Sequence, residues 1–304
     1  MDEERITVAV VGPGGVGGLL GALLTRQGDD VTYVAREETV SVLNAQGLRV
    51  DSGVYGSFAV AAKAVTELTV PVDVCVVAVK AMQLDAAMER VPKDILGETV
   101  VVPFLNGVDH VEVLRNGYGA AVVAGTLRVA STRTGPGVIR HSSPFLRVEL
   151  AVTGDLPDEW RQTALRFGHR LAAAGAEVDV CDDELSMLWG KLIFLCPLAL
   201  LTTRYGITAG AVRTAHRDEL VAVINEVAEV GGALGASLSA DATLAFFDSV
   251  PAAMQSSMQH DAAAGNPIEL DAIGGAVLRA GDRTGIPAPV TRKLVAELRG
   301  APSG

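Results

Sequence analysis

Lys191 is the one charge in MLWGKLIFLCPLALLT, residues 187–202, and it heads an unbroken apolar run from Leu192 to Leu201. An ammonium buried without a partner costs several kcal/mol. Such a lysine either carries its head to water along its own stem or is kept for chemistry as a proton donor, since apolar neighbours weaken its hold on the proton. A second chemistry is written near the start of the chain. There Gly12-Pro13-Gly14-Gly15-Val16-Gly17 has the spacing G-x-G-x-x-G. Gly12 permits a tight turn, Gly14 lets backbone N–H groups approach a pyrophosphate, and Gly17 allows close helix–sheet packing, with the helix N-terminus facing the anion. Three further residues stand where strands end. Arg36 closes the second strand, where an NAD-binding fold usually offers a carboxylate to the ribose 2′-OH; an arginine suits a 2′-phosphate instead. It could equally be a surface arginine, and Glu37 beside it leaves room for NAD. Lys80 closes the third strand and is either a second cation near that phosphate or a solvated strand end. Asn106, followed by Gly107, closes the fourth. It is either a bare turn signal or an amide aimed at a nicotinamide and a reacting carbonyl.

These groups need a scaffold, and the pattern of the chain supplies two. Its 304 residues suit two domains, and 49% hydrophobic with 20% charged residues is the composition of a globular chain. From residue 6 to about 150, the runs ITVAVVG, DVTYVAR, VDVCVVAVK, TVVVPFLNG and AAVVAGTL alternate with helical stretches, which predicts βαβ units on a buried parallel sheet. TRTGPGVIRHSSPFLRVELAV reads as a hairpin at the sheet edge, followed by a helix near residues 157–174 and the strand AEVDVC. After Asp182 the strand signal vanishes, and residues 184–300 carry helical spacing. The expected domains are therefore 1–182, a nucleotide-binding Rossmann domain, and 183–304, a helical domain.

Several classes are excluded or disfavoured. Net charge −11 argues against nucleic-acid or anionic-membrane partners. No uninterrupted apolar run reaches the ~18 residues of a membrane span, and MDEERITVAVV is acidic where a signal peptide would be basic. A cytoplasmic protein is expected. Cys75, Cys181 and Cys196 lie apart without metal spacing and read as buried, reduced thiols. His141, His169, His216 and His260 show no metal spacing either, so no metal is expected.

The GPGGVG turn, Arg36, AVKAMQ, LNG at 105–107, GPGVIRH at 135–141, WGKLIF and SSMQHD…NPIELD at 256–271 together resemble the ketopantoate reductase family over almost the whole chain. The resemblance implies an α/β Rossmann-type N-terminal domain, an all-helical C-terminal domain of the 6-phosphogluconate dehydrogenase C-terminal-like kind, and NADPH-dependent reduction of 2-dehydropantoate to pantoate in pantothenate biosynthesis. It implies that Gly12 to Gly17 bind pyrophosphate, Arg36 and Lys80 the 2′-phosphate end, and Asn106 and Ala130 the nicotinamide side. Lys191 matches the catalytic lysine, which with Asn106 also meets the substrate. Ser257 matches the substrate-binding serine, and Glu269 the carboxylate that closes over the cofactor and orients the site. A homodimer fits the same picture.

Bland alternatives accompany these roles. In Asn266-Pro267-Ile268-Glu269 the asparagine fits a helix N-cap, the proline N1 and the glutamate N3, a capping box in itself. Ser256 and Ser257 could bond back to a preceding turn. The family pattern has asparagines after the lysine, whereas Leu195, Cys196 and Leu198 follow Lys191, and Met254 stands where another amide often occurs. The substrate expected is therefore ketopantoate or a more apolar 2-oxo acid or related carbonyl compound. A β-hydroxy acid dehydrogenase and a non-catalytic NADP(H)-binding sensor are the rival readings.

Overall fold

The computed structural model describes residues 5–300, so the acidic start at residues 1–4 lies outside the described residues. The chain forms two compact units. One holds the described residues up to Leu105 together with His110–Glu184; the other holds Asn106–Asp109 and the described residues from Leu185 onward.

The strands of the first unit are β1 (Thr7–Val11), β2 (Asp30–Val34), β3 (Leu48–Ser52), β4 (Phe58–Val60), β5 (Lys63–Val65) and β6 (Val74–Val77). They continue with β7 (Val100–Pro103), β8 (Gly125–Arg128), β9 (Ser131–Gly135), β10 (Val138–His141), β11 (Arg147–Ala151) and β12 (Glu177–Cys181). Its helices are α1 (Gly15–Gln27), α2 (Glu37–Gln46), α3 (Leu84–Met88), α4 (Lys93–Leu96), α5 (Asp109–Tyr118, whose first residue packs with the other unit) and α6 (Asp158–Ala173).

A parallel sheet runs in the order β5-β2-β1-β6-β7. Its valine-rich strands are buried on both faces, which is why they lack polar alternation. Along β1 the side chains divide by parity: Val8 and Val10 join Leu19, Leu20 and Leu24 of α1 in one core, while Ala9 and Val11 join Leu84, Leu96 and Leu114 in another.

Two expectations about this sheet need correction. AAVVAGTL does not provide its fifth strand. β8 instead lies antiparallel to β11 in a three-stranded sheet, β12-β11-β8, while an isolated parallel bridge pairs Val122, just before β8, with Val101 of the parallel sheet. The side chains explain the pairing, since Thr126 and Arg128 of β8 both donate to Glu149 on β11. The edge place goes to β5, which the Asn44 amide holds by bonds to the Ala64 N–H and C=O at 2.8 and 2.9 Å. The β9–β10 hairpin forms, but in a separate sheet, β4-β3-β10-β9. That sheet packs on α1, where a Cβ at Gly18 would come within 2.7 Å of Ile139 Cδ1.

The second unit is helical: α7 (Glu184–Tyr205), α8 (Ala209–Ala215), α9 (Arg217–Ala233), α10 (Ala240–Ser249), α11 (Ser257–Ala263), α12 (Ala276–Thr284) and α13 (Pro289–Gly300), with a π-helical turn at Asp271–Gly275 leading into α12. α7 has 22 residues, and an 18-residue window within it reaches a mean hydropathy of 1.8, so the helix is long and apolar enough to cross a membrane even though its longest apolar run is short. Two thirds of that window is buried inside the fold, and Trp189, Leu192, Ile193, Cys196 and Leu198–Leu201 belong to the core of the unit. Its apolarity is that of a central helix. Cys75 and Cys196 are buried, but Cys181 on the edge strand β12 is half-exposed, contrary to the expectation for all three thiols.

Candidate active site

The glycine turn meets each demand placed on it. Gly12 has φ +89°, and a Cβ there would lie 2.5 Å from Val79 Cγ1. Its N–H donates to Val34 O, and the Gly14 N–H donates back to Gly12 O at 2.8 Å, which closes the turn. At Gly17 a Cβ would sit 2.4 Å from Gly12 O, so α1 packs directly on the turn. Beside Gly14 there is open space, and no side chain caps α1. The first N–H groups of the helix are thus open to a ligand, as a bound dinucleotide's pyrophosphate requires. Pro13 is buried and Val16 half-buried. Gly15 has a packing reason as well, since a Cβ there would come within 2.2 Å of Ser131 O on the hairpin.

Arg36 and Lys80 stand at the carboxyl ends of β2 and β6, the strands on either side of β1. The chain reverses its order across the sheet between β1 and β6, and ligands of open α/β sheets bind at such a point. Arg36 is exposed and occupies the N-cap position of α2; Lys80 is half-buried and precedes a single 3₁₀ turn, Ala81–Gln83. Ala130, between β8 and β9, is exposed, and its N–H donates to Ser143 Oγ at 3.0 Å.

In the helical unit, Asn106 and Glu269 come together. The Asn106 Nδ2 donates to Glu269 Oε2 at 2.9 Å across 163 positions of sequence, and Glu269 is only 8% exposed. The capping box expected at Asn266–Glu269 does not form. The Asn266 N–H donates to Asp261 O, and Glu269 stands immediately before the helix, its carbonyl accepting from the Ile273 N–H. Lys191 is half-buried on α7, with Met187 and Leu195 one turn away on the same stripe. The two serines separate cleanly. Ser256 is buried, caps α11 by accepting from the Gln259 N–H at 3.0 Å, and bonds Thr202 Oγ1 at 2.8 Å. Ser257, next to it, is exposed.

Comparison with known proteins decides the family. Residues 8–151 match the family described as Ketopantoate reductase PanE/ApbA, and residues 183–301 match its C-terminal counterpart. A 2-dehydropantoate 2-reductase of Mycobacterium tuberculosis is 30% identical over 312 residues, covering 98% of each chain. The chain belongs to the ketopantoate reductase family. It is thereby one of a family of oxidoreductases. A crystal structure of a PanE/ApbA family ketopantoate reductase from Ralstonia eutropha JMP134 superposes with a TM-score of 0.84 at 27% identity, covering 96% of this chain and 97% of that one. A D-mandelate dehydrogenase, solved with NADH and anilino(oxo)acetate, has a TM-score of 0.88 at 21% identity, covering 96% and 97%, and so shares the fold.

Within this family the departures after Lys191 take on a different weight. Cys196 and Leu198 are buried in the helical core, and burial pushes the Cys196 thiol well above its ordinary value. Leu195 and Met254 are half-buried and are the two replacements that retain exposed surface. The sequence reading passed over Phe194. It lies one turn beyond Lys191, and its ring meets Phe246 edge-on at 5.0 Å and Phe247 at 5.6 Å. Phe246 is 54% exposed. The Phe246-Phe247 pair in a helix was the available signal. Among the described residues, no group of three or more His, Cys, Asp or Glu could hold a metal.

Proposed function

We propose that this protein is an NADPH-dependent reductase that converts a 2-oxo acid to the 2-hydroxy acid, with the Rossmann domain (1–182) binding NADP(H) and the helical domain (183–304) working on the substrate. The observation that carries the reading is the hydrogen bond from Asn106 to Glu269, in the same unit as Lys191. It joins two residues that the family resemblance assigns to one site, and the capping box read at Asn266–Glu269 is replaced by other bonds of Asn266.

In this reading Gly12 to Gly17 hold the pyrophosphate by main-chain N–H groups, and Arg36 and Lys80 neutralise the 2′-phosphate. Asn106, Ala130 and Glu269 are the residues assigned to the nicotinamide end of the cofactor. A nicotinamide cofactor held by these residues would supply the hydride that the carbonyl carbon takes up. Lys191 donates a hydrogen bond from Nζ to the carbonyl oxygen and releases its proton there as negative charge grows, which yields the hydroxyl group. Asn106 and Ser257 hold the substrate, and the Glu269 carboxylate fixes the Asn106 amide.

Leu195 and Met254 in place of amides favour a 2-oxo acid with a larger apolar side chain than ketopantoate, because polar substrate groups left unpaired in a dry site are penalised. The protein works as a homodimer in the cytoplasm, and pantothenate biosynthesis is its pathway if ketopantoate leads all other substrates. The test is a panel of 2-oxo acids with NADPH, followed by absorbance at the nicotinamide band, alongside 3-hydroxy acids with NADP⁺. The expected result is reduction of an apolar 2-oxo acid with higher kcat/KM than ketopantoate. Turnover of 3-hydroxy acids alone, or NADPH binding without turnover on any carbonyl compound, overturns the assignment.

A further inference from the structure

The segment Asn106–Asp109 is gripped at three points by the helical unit. At its start, Asn106 bonds Glu269. In its middle, Gly107 has φ +85°, and a Cβ there would fall 2.1 Å from the carbonyl oxygen of Ala272, so the backbone of the segment lies directly on the π-helical turn. At its end, the Arg279 guanidinium donates from Nε and Nη2 to Asp109 Oδ2 at 3.0 and 2.6 Å. The same guanidinium reaches back to the turn, with Nη1 on Asp271 Oδ2 and Nη2 on Asp271 O, both at 2.9 Å, and Arg299 holds the other Asp271 oxygen at 3.0 Å. Gly275 makes room for this fork: a Cβ there would come within 2.6 Å of Asp271 Oδ1 and 3.1 Å of Arg279 Nη1.

Stability alone gives little reason for such an arrangement. Arg279 and Asp109 are 44% and 34% exposed, and ion pairs at that exposure contribute little to folding. A π-turn is a rare element that is found frequently at functional sites. We propose that Arg279 and the Asp271–Gly275 turn form a latch that keeps Asn106 seated against Glu269, which makes Arg279 a positioning residue for the reductase site. The inference rests on the reading of Asn106 and Glu269 given under Proposed function. Arg279 touches neither substrate nor cofactor in it; the residue acts through the four-residue segment.

The test pairs a readout of the latch with a readout of catalysis. In the cofactor-free protein, Arg279→Ala should raise amide hydrogen exchange at Asn106–Asp109 by about tenfold while leaving the cores of both units protected. Its kcat with NADPH and the best 2-oxo acid of the panel should fall about 10–100-fold, the scale of a small misplacement at a reacting centre, with Tm changed by less than about 3 °C. Gly275→Ala should act in the same direction by crowding the fork, and Arg279→Lys should restore part of the rate. In an Asn106→Ala background, Arg279→Ala should cost less than about threefold more, because its target is already gone. Unchanged exchange at Asn106–Asp109 overturns the latch. Faster exchange with an unchanged kcat, or fully additive losses with Asn106→Ala, overturns the positioning role. If the parent protein reduces no 2-oxo acid, the proposed function falls, and exchange alone decides whether the latch exists.

Discussion

At Gly12–Gly17 the candidate functional groups are main-chain N–H groups within six consecutive residues, whereas at Asn106, Lys191 and Glu269 they are side chains drawn from distant parts of the chain. The first site is specified by what cannot be present: a Cβ at Gly12 or Gly17 collides with the neighbouring strand or turn. The second is specified by what must arrive, since Asn106 meets Glu269 across 163 positions of sequence through the packing of residues 106–109 in the helical unit. A site made of backbone is fixed by local spacing; a site made of side chains is fixed by packing. Substitutions should therefore break the two in different ways.

The largest effect belongs to the side-chain half. Lys191→Ala should lower kcat by about 10²–10⁴, the usual worth of positioned acid–base catalysis, while the Kd for NADPH changes little because the Rossmann unit holds the cofactor. Folding should survive, since Lys191 is only half-buried on α7 and the core of the helical unit is built by the apolar residues that follow it. A folded, NADPH-binding variant that turns over at the parental rate would show that Lys191 merely carries its charge to water.

In the backbone half, two neighbouring glycines separate fold from binding. Gly12→Ala forces a side chain into the left-handed region and against Val79 and Ala78, so stability should fall by about 1–3 kcal/mol and NADPH affinity should drop with it. Gly14→Ala meets open space, so Tm should hold while the new methyl group occupies the ligand's approach and weakens NADPH at least about tenfold. Thermal unfolding and cofactor titration of both variants decide the point. Equal affinity losses explained entirely by unfolding in both would refute the division.

How far the sequence carries the argument follows the same line. The strand–glycine–helix turn was legible because each glycine answers to atoms only a few residues away. The hairpin and α6 were legible because turns and helical periods are local too. The assignment of AAVVAGTL to the parallel sheet failed because Glu149, some twenty residues on, draws Thr126 and Arg128 into another pairing. Glu269 was ambiguous for the same reason, as Asn266-Pro267-Ile268 is a sound capping signal until Asp261 takes the Asn266 N–H and Asn106 takes the carboxylate. Leu198 and Cys196 stand where the resemblance puts asparagines, and both are buried in the core of the helical unit, which spacing from Lys191 does not disclose.

Cofactor choice is a smaller effect that tests the rim of the backbone site. Arg36→Ala should weaken NADPH binding by about 1.5–3 kcal/mol, the range for a hydrogen bond to a charged group, and leave NADH nearly unchanged. Arg36 is exposed at the N-cap of α2, so its loss removes no buried contact. Equal losses for the two cofactors would mean that Arg36 does not read the 2′-phosphate.

The smallest effect sharpens the comparison most, because it divides two adjacent, chemically identical residues. Ser256 accepts from the Gln259 N–H and bonds Thr202 deep in the helical unit, whereas Ser257 turns outward from the first position of α11. Ser256→Ala removes a cap and one of two hydrogen bonds of the buried Thr202 hydroxyl, which keeps its bond to Leu198 O, so it should cost about 1–2 kcal/mol of stability with little change in KM. Ser257→Ala should leave Tm nearly unchanged and raise KM for the 2-oxo acid about three- to tenfold, the worth of one ordinary hydrogen bond, with kcat moved less. If the two variants lose stability alike and neither moves KM, then Ser257 takes no part in the substrate site, and the helical unit must hold its substrate through Asn106 and Lys191 alone.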